Sequence, residues 1–135
     1  MQVAIAASLL DRLLAEAAAE PTREICGLLF GDASHIGMAQ RVANVALDNR
    51  RAFEIDPRDL FSALREERRG GPRLIGHYHS HPNGSAEPSQ RDVAASEPGK
   101  LWLILGGGQA RLWLAVQGAF REAQMIVNQD CASAG

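Results

Sequence analysis

Three of the four histidines in this chain stand at alternate positions of the segment GHYHSHP, as His77, His79 and His81, with Pro82 directly behind. In an extended strand, residues two apart face the same way, so the three imidazoles share one side and Tyr78 and Ser80 take the other. Adjacent imidazoles of such a row stand about 6.5–7 Å apart at Cα and can converge on one ion; His77 and His81, about 13 Å apart, do so with difficulty. A further ligand has to come from elsewhere in the chain.

Seven residues beyond Pro82, Ser89 and Asp92 form a Ser-x-x-Asp directly after Pro88. Ser89 reads as a helix N-cap, and positions three apart share a helix face, so its hydroxyl and the Asp92 carboxylate project together. The pair is either a helix cap and nothing more, or a ligand source whose face meets the histidine strand. In the second case two imidazoles and one carboxylate form a facial set suited to one Zn²⁺. Its fourth position stays open to water, as in catalytic zinc sites and unlike closed structural ones. His77 is then pocket lining or support for the ligands, and His35, in a turn, is plain surface.

Zinc brings the pKa of bound water towards 7, and a held carboxylate can take the proton and pass it to a leaving amine. Glu24 opens the apolar run EICGLLFG. It is either that base or an ordinary strand-end glutamate. Glu87, in the loop after Pro82, is a poorer candidate because a base must be held in place. Cys26, two residues beyond Glu24, shares its face and is read as a small buried strand residue.

The elements that must position these groups follow from periodicity. Ser8 to Glu20 carries an apolar helical stripe closed by Pro21. EICGLLFG and MAQRVANVAL read as strands around the turn GDASHIG. Asp56 is an N-cap with Pro57 at the first helical position, opening a helix that carries Leu60, Phe61 and Leu64. RLIGHYH is a strand in which Gly76 marks close backbone approach. A short helix runs from Ser89 to about Ser96, and LWLILGG, ARLWLAV and AFREAQMIV close the chain as three strands. The expectation is one α/β domain over residues 1–128, a sandwich with a mixed, strongly curved sheet flanked by helices, and a flexible tail at 129–135.

Composition narrows the function classes. The chain has 135 residues, 46% hydrophobic and 22% charged, with net charge −2. That is one domain's worth of core and lacks the basic face of a nucleic-acid binder. Cys26 and Cys131 are too few for a disulfide framework, so a reducing cytoplasm is expected. The N-terminus lacks a basic leader, and Asp11 and Arg12 interrupt its apolar run, which argues against a signal or a membrane span.

His79-Ser80-His81-Pro82, six residues and then Ser89-x-x-Asp92, with Glu24 upstream in EICGLLFG, resembles the JAMM motif of the MPN+ metalloproteases. The pattern is E…HxHP-x6-SxxD, and every position is filled. The FEIDPRDL segment and the three closing strands extend the likeness over nearly the whole MPN domain. The resemblance implies His79, His81 and Asp92 as zinc ligands, Glu24 as general base and acid, and Ser89 as a hydrogen-bond donor to the oxyanion. It implies hydrolysis of an amide bond after the C-terminal Gly-Gly of a ubiquitin-like protein. The short length is closest to small bacterial members similar to sulfur-carrier-protein hydrolases, which can release cysteine from the carrier's last glycine. Phe53, Ile55, His77 and the 83–87 loop are expected to wall a groove for that tail, added as a strand along the edge of the histidine strand. Two other readings stand beside this one: a non-catalytic MPN-type interaction scaffold, and a relative of DNA-repair-associated proteins with a similar motif. The expected partner is the carrier protein, with neither nucleic acid nor membrane; oligomeric state is left open, a homodimer included.

Overall fold

The computed structural model describes residues 1–129. Seven strands and three helices follow in the order β1 (Gln2–Ala6), α1 (Ala7–Ala18), β2 (Cys26–Asp32), β3 (His35–Val42), α2 (Pro57–Arg68), β4 (Leu74–Ser80), α3 (Gln90–Ala95), β5 (Leu101–Gly106), β6 (Gln109–Val116) and β7 (Ala119–Asn128). The sheet order is β1-β3-β2-β4-β5-β6-β7, and it curves until β7 pairs with β1 and closes it. The mixed, strongly curved α/β sheet expected from the sequence is what forms.

β1 is the element the sequence reading passed over. Only five residues long, it runs parallel to β7 from Gln2↔Gln124 to Ala6↔Asn128 and touches β3 at Ala4↔His35. Val3 and Ile5 are fully buried. The alternation is too short to stand out beside the helical stripe that follows it. His35, expected in a turn, is therefore the first residue of β3, though its side chain is exposed.

β4 lies in the middle of the sheet. It is antiparallel to β2, with Cys26↔His79 and Leu28↔His77, and parallel to β5, with His77↔Trp102 and His79↔Ile104. One face of this strand carries Tyr78 into the core cluster with Leu13, Leu29, Leu103 and Leu112, where α1 packs. The Tyr78 hydroxyl donates to Glu16 on α1 at 3.0 Å. The other face carries His77 and His79. A methyl group on Gly76 would collide with the Leu101 carbonyl oxygen, so glycine here allows β4 and β5 to close beside the histidines.

α2 starts as its sequence demands: the Asp56 carboxylate accepts from Arg58 N at 2.9 Å and Pro57 takes the first helical position. Its buried residue is Ala63, while Phe61 is 64% exposed. The apolar face of α2 meets Leu28, Phe30 and Leu74 through Ala63 and Leu64. No helix of the described residues is long and apolar enough to cross a membrane. The expected tail lies outside the described residues from position 130 onward, and Cys131 with it.

Candidate metal centre and active site

His79 hangs from the middle strand and His81 from the residue just beyond it, where His81 N donates to Leu105 O at 2.8 Å. Asp92 comes from the first turn of α3. The three meet: His79 Nε2 and His81 Nε2 are 2.9 Å apart, and Asp92 Oδ2 lies 3.3 Å from the first and 3.2 Å from the second. The residues are 0%, 8% and 5% exposed, so their contact is shielded from bulk solvent.

The donor set does not close on itself. His81 Nδ1 lies 2.7 Å from Ser85 O, and a carbonyl can only accept, so the proton of a neutral ring sits on Nδ1. That leaves the Nε2 lone pair facing a carboxylate oxygen and a second imidazole nitrogen. One proton on His79 Nε2 bridges one of these contacts and leaves the rest opposed. A cation serves all three at once. A tetrahedral ion with bonds of about 2.0–2.1 Å has ligand–ligand edges of about 3.3 Å, close to the two carboxylate distances and slightly wider than the histidine pair. The residues present fit a divalent metal.

A proton on His81 can stand in for the cation and must leave when one binds. Burial lowers the pKa of His79. Burial opposes charge on His81 as well, but the hydrogen bond to Asp92 and the Ser85 carbonyl outweigh it and raise its pKa. Burial also works against ionised Asp92, yet hydrogen bonds from both histidines hold its carboxyl well below the usual range. It stays a carboxylate, the state a metal requires.

Ser89 serves as cap and something more is left over. Its Oγ accepts from Asp92 N at 3.1 Å while Asp92 Oδ2 accepts from Ser89 N at 2.8 Å, a reciprocal capping box. The two sequence readings are thus compatible: the cap uses the oxygen's lone pair, and the hydroxyl proton remains to be given to another acceptor.

Glu24 lies two residues before β2, not in it as expected. The strand begins at Cys26 because Glu24 N is drawn away to Asn49 O at 2.7 Å. Its carboxylate falls within 4.8 Å of the histidine nitrogens. Burial, the largest cause, raises its pKa from 4.5 to about 7, with His81 partly opposing and Asp92 adding to it. A group poised there can take and return a proton near neutral pH.

His77 does not join the cluster. Burial pushes its pKa down to about 3, and its Nδ1 has no hydrogen-bond partner among the described residues, nor has that of His79. His77 packs edge-on against Trp102 at 4.2 Å, and the Phe53 ring stacks on His79 at 4.2 Å. Phe53, Ile55 and His77 line one cavity of about 350 Å³ with Trp102. The 83–87 loop borders a different cleft, with Glu24, His81 and Ser89. Both edges of β4 are already paired, so a tail cannot add to the histidine strand as expected. Cys26 Sγ turns to the Val42 and Ala43 carbonyls, and burial pushes its pKa up to about 12, which keeps it a thiol.

The family model for prokaryotic homologs of the JAB domain matches residues 6–117. The chain belongs to this family, the JAMM/MPN+ group. A desampylase from Haloferax volcanii is 36% identical over 136 residues, covering 93% of this chain and 96% of that protein. A probable TtuB-protein conjugate cleaving protease from Thermus thermophilus is 36% identical over 56% of this chain and 50% of its own length. A solved protein from Desulfitobacterium hafniense superposes with a TM-score of 0.81 at 25% identity, covering 96% of this chain and 94% of that one. A JAB1/MPN domain protein from Archaeoglobus fulgidus shares the fold, with a TM-score of 0.60 at 19% identity over 93% of this chain and 98% of that one. This JAB-family chain is a JAMM-type hydrolase with a metal cofactor.

Two supports of the site escaped the sequence reading. Ser80 and Asn44 both bind the backbone around Glu24. Asn44 sits inside MAQRVANVAL, read as one strand, but β3 stops at Val42. An asparagine within an apolar run, followed by Leu-Asp-Asn, is a turn-chemistry signal that could have been used.

Proposed function

We propose that this chain is a zinc-dependent peptidase or isopeptidase that hydrolyses the amide bond at the C-terminal glycine of a ubiquitin-like or sulfur-carrier protein. The observation that carries the reading is the opposed lone-pair set of His79, His81 and Asp92 with Glu24 beside it. The conjugate-cleaving and desampylase relatives support the substrate class.

His79, His81 and Asp92 would hold a zinc ion, which when bound would supply a Lewis acid for the scissile carbonyl and lower the pKa of water towards 7. Glu24 takes a proton from the attacking water and returns it to the leaving amine as the C–N bond breaks. Ser89 gives its hydroxyl proton, unused by the cap, to the carbonyl oxygen as charge builds there. Glycines at the tail bring no side chain between the carbonyl and these groups. The tail runs across the end of β4, with the Phe53, Ile55 and His77 cavity on one side and the 83–87 loop on the other.

The test is incubation of the zinc-loaded protein with a carrier joined through its last glycine to lysine or to cysteine. The products are read by mass spectrometry. Release of carrier with a free C-terminal carboxylate, lost on chelation and in Glu24→Gln, is expected. Cleavage that persists in Glu24→Gln with zinc bound would count against the base assignment. The enzymatic relatives favour hydrolysis over the scaffold reading, and the net charge of −2 gives the nucleic-acid reading no support.

A further inference from the structure

Residues 43–56, between β3 and α2, bind the Glu24 peptide at both ends. Glu24 N donates to Asn49 O at 2.7 Å, and Glu24 O accepts from Asn44 Nδ2 at 2.9 Å. Asn44 Nδ2 also donates to Ala52 O at 3.0 Å, while its Oδ1 accepts from Ala46 N at 3.0 Å and from Glu54 N at 3.1 Å. A carboxamide has two protons to give and two lone pairs to offer. Asn44 uses all of them.

The consequence reaches both halves of the site. Glu24 lies outside the strand ladder, so its own peptide is held by this segment. Phe53 stands between the two residues that Asn44 ties, Ala52 and Glu54, and its ring is the one stacked on His79. One half-buried side chain therefore links the base to the wall behind a metal ligand.

We infer that Asn44 is a positioning residue for the hydrolysis: its carboxamide holds the Glu24 main chain so that the carboxylate keeps its reach to the attacking water. This rests on the function proposed above. A carboxylate displaced by about 1 Å from a productive position costs on the order of 100-fold in rate, which sets the scale of the effect.

Two substitutions separate the parts of the hub. Asn44→Asp keeps oxygen acceptors for Ala46 N and Glu54 N but loses the protons given to Glu24 O and Ala52 O. Asn44→Ala loses everything. In both, kcat on the carrier conjugate is expected to fall about 10- to 100-fold with KM changed far less, and zinc content is expected to stay as in the wild type. In a Glu24→Gln background the same changes are expected to alter the residual rate by less than about 3-fold, since coupled residues are not additive. Amide hydrogen exchange supplies a readout that needs no activity. Glu24 N–H, which donates to Asn49 O in the segment that Asn44 ties together, is expected to lose protection in both variants, and Glu54 N–H, which donates to Asn44 Oδ1, in Asn44→Ala alone.

Wild-type kcat in Asn44→Asp overturns the inference, as does an equal loss with and without Glu24. Unchanged protection of Glu24 N–H in Asn44→Ala overturns it even where Glu24→Gln has no measurable rate. Full activity in Glu24→Gln alone sinks the base assignment instead, an outcome distinct from failure of the Asn44 role, which leaves Glu24→Gln impaired.

Discussion

Ser80 and Ile25 are bound to each other twice: Ser80 Oγ accepts from Ile25 N at 2.9 Å, and Ser80 N donates to Ile25 O at 3.0 Å. The residue between His79 and His81 thus grips the residue next to Glu24. The histidine side and the glutamate side of the site are registered by one serine. Ser80→Ala leaves Ile25 N buried without its acceptor, a cost of about 1–3 kcal/mol. A lower melting temperature and reduced kcat with unchanged zinc content are expected. Calorimetry and steady-state kinetics on the same preparation check this, and a variant with full kcat would show that the link does not matter for the chemistry.

Metal removal is expected to destabilise the fold, because chelation leaves three facing acceptors with too few protons. Added zinc raises the melting temperature of the wild type by mass action. Asp92→Asn replaces the carboxylate, and both effects are expected to vanish with it. Elemental analysis together with thermal melts decides the matter; a stoichiometric metal retained by Asp92→Asn contradicts the ligand assignment.

On the proposed mechanism Ser89 has two duties of different size. Losing the cap in Ser89→Ala costs about 1 kcal/mol of stability. Losing an oxyanion donor costs about 10²–10³ in kcat. A small drop in melting temperature with a large drop in rate is therefore expected. Should the rate fall only in step with stability, the serine is a cap alone.

Glu24 makes a pH-dependent contribution in the metal-free protein. Its carboxyl has an ordinary pKa of 4.5 and a folded value of about 7, raised chiefly by burial. Between those values the folded chain holds a proton that the unfolded chain has lost. Stability then falls as pH rises, and the loss is complete above about 7. In excess chelator, Glu24→Gln is expected to melt above the wild type at pH 8 and level with it near pH 4. Equal melting temperatures at both pH values would show that the carboxylate is not desolvated.

Much of the fold was legible because its cues are local. Asp56-Pro57 opens α2, Ser89 opens α3, and the glycine-punctuated closing segments are three strands. β1 was not, because five residues gain their strand character only by pairing with β7 at the far end of the chain. The paired edges of β4 were likewise hidden: whether a strand has a free edge is a property of its neighbours.

By itself the sequence determined which groups are candidates for the chemistry. The alternation of His79 and His81, the Ser89-x-x-Asp92 spacing and a glutamate heading an apolar run are short-range patterns, set by strand and helix periods. Only the tertiary structure decided that Asp92 Oδ2 meets both Nε2 atoms, that Ser85 sets the tautomer of His81, and that Asn44 and Ser80 hold Glu24 outside its strand. Those contacts join residues far apart in the chain or turn on which lone pair is already used. Periodicity carries no information about either.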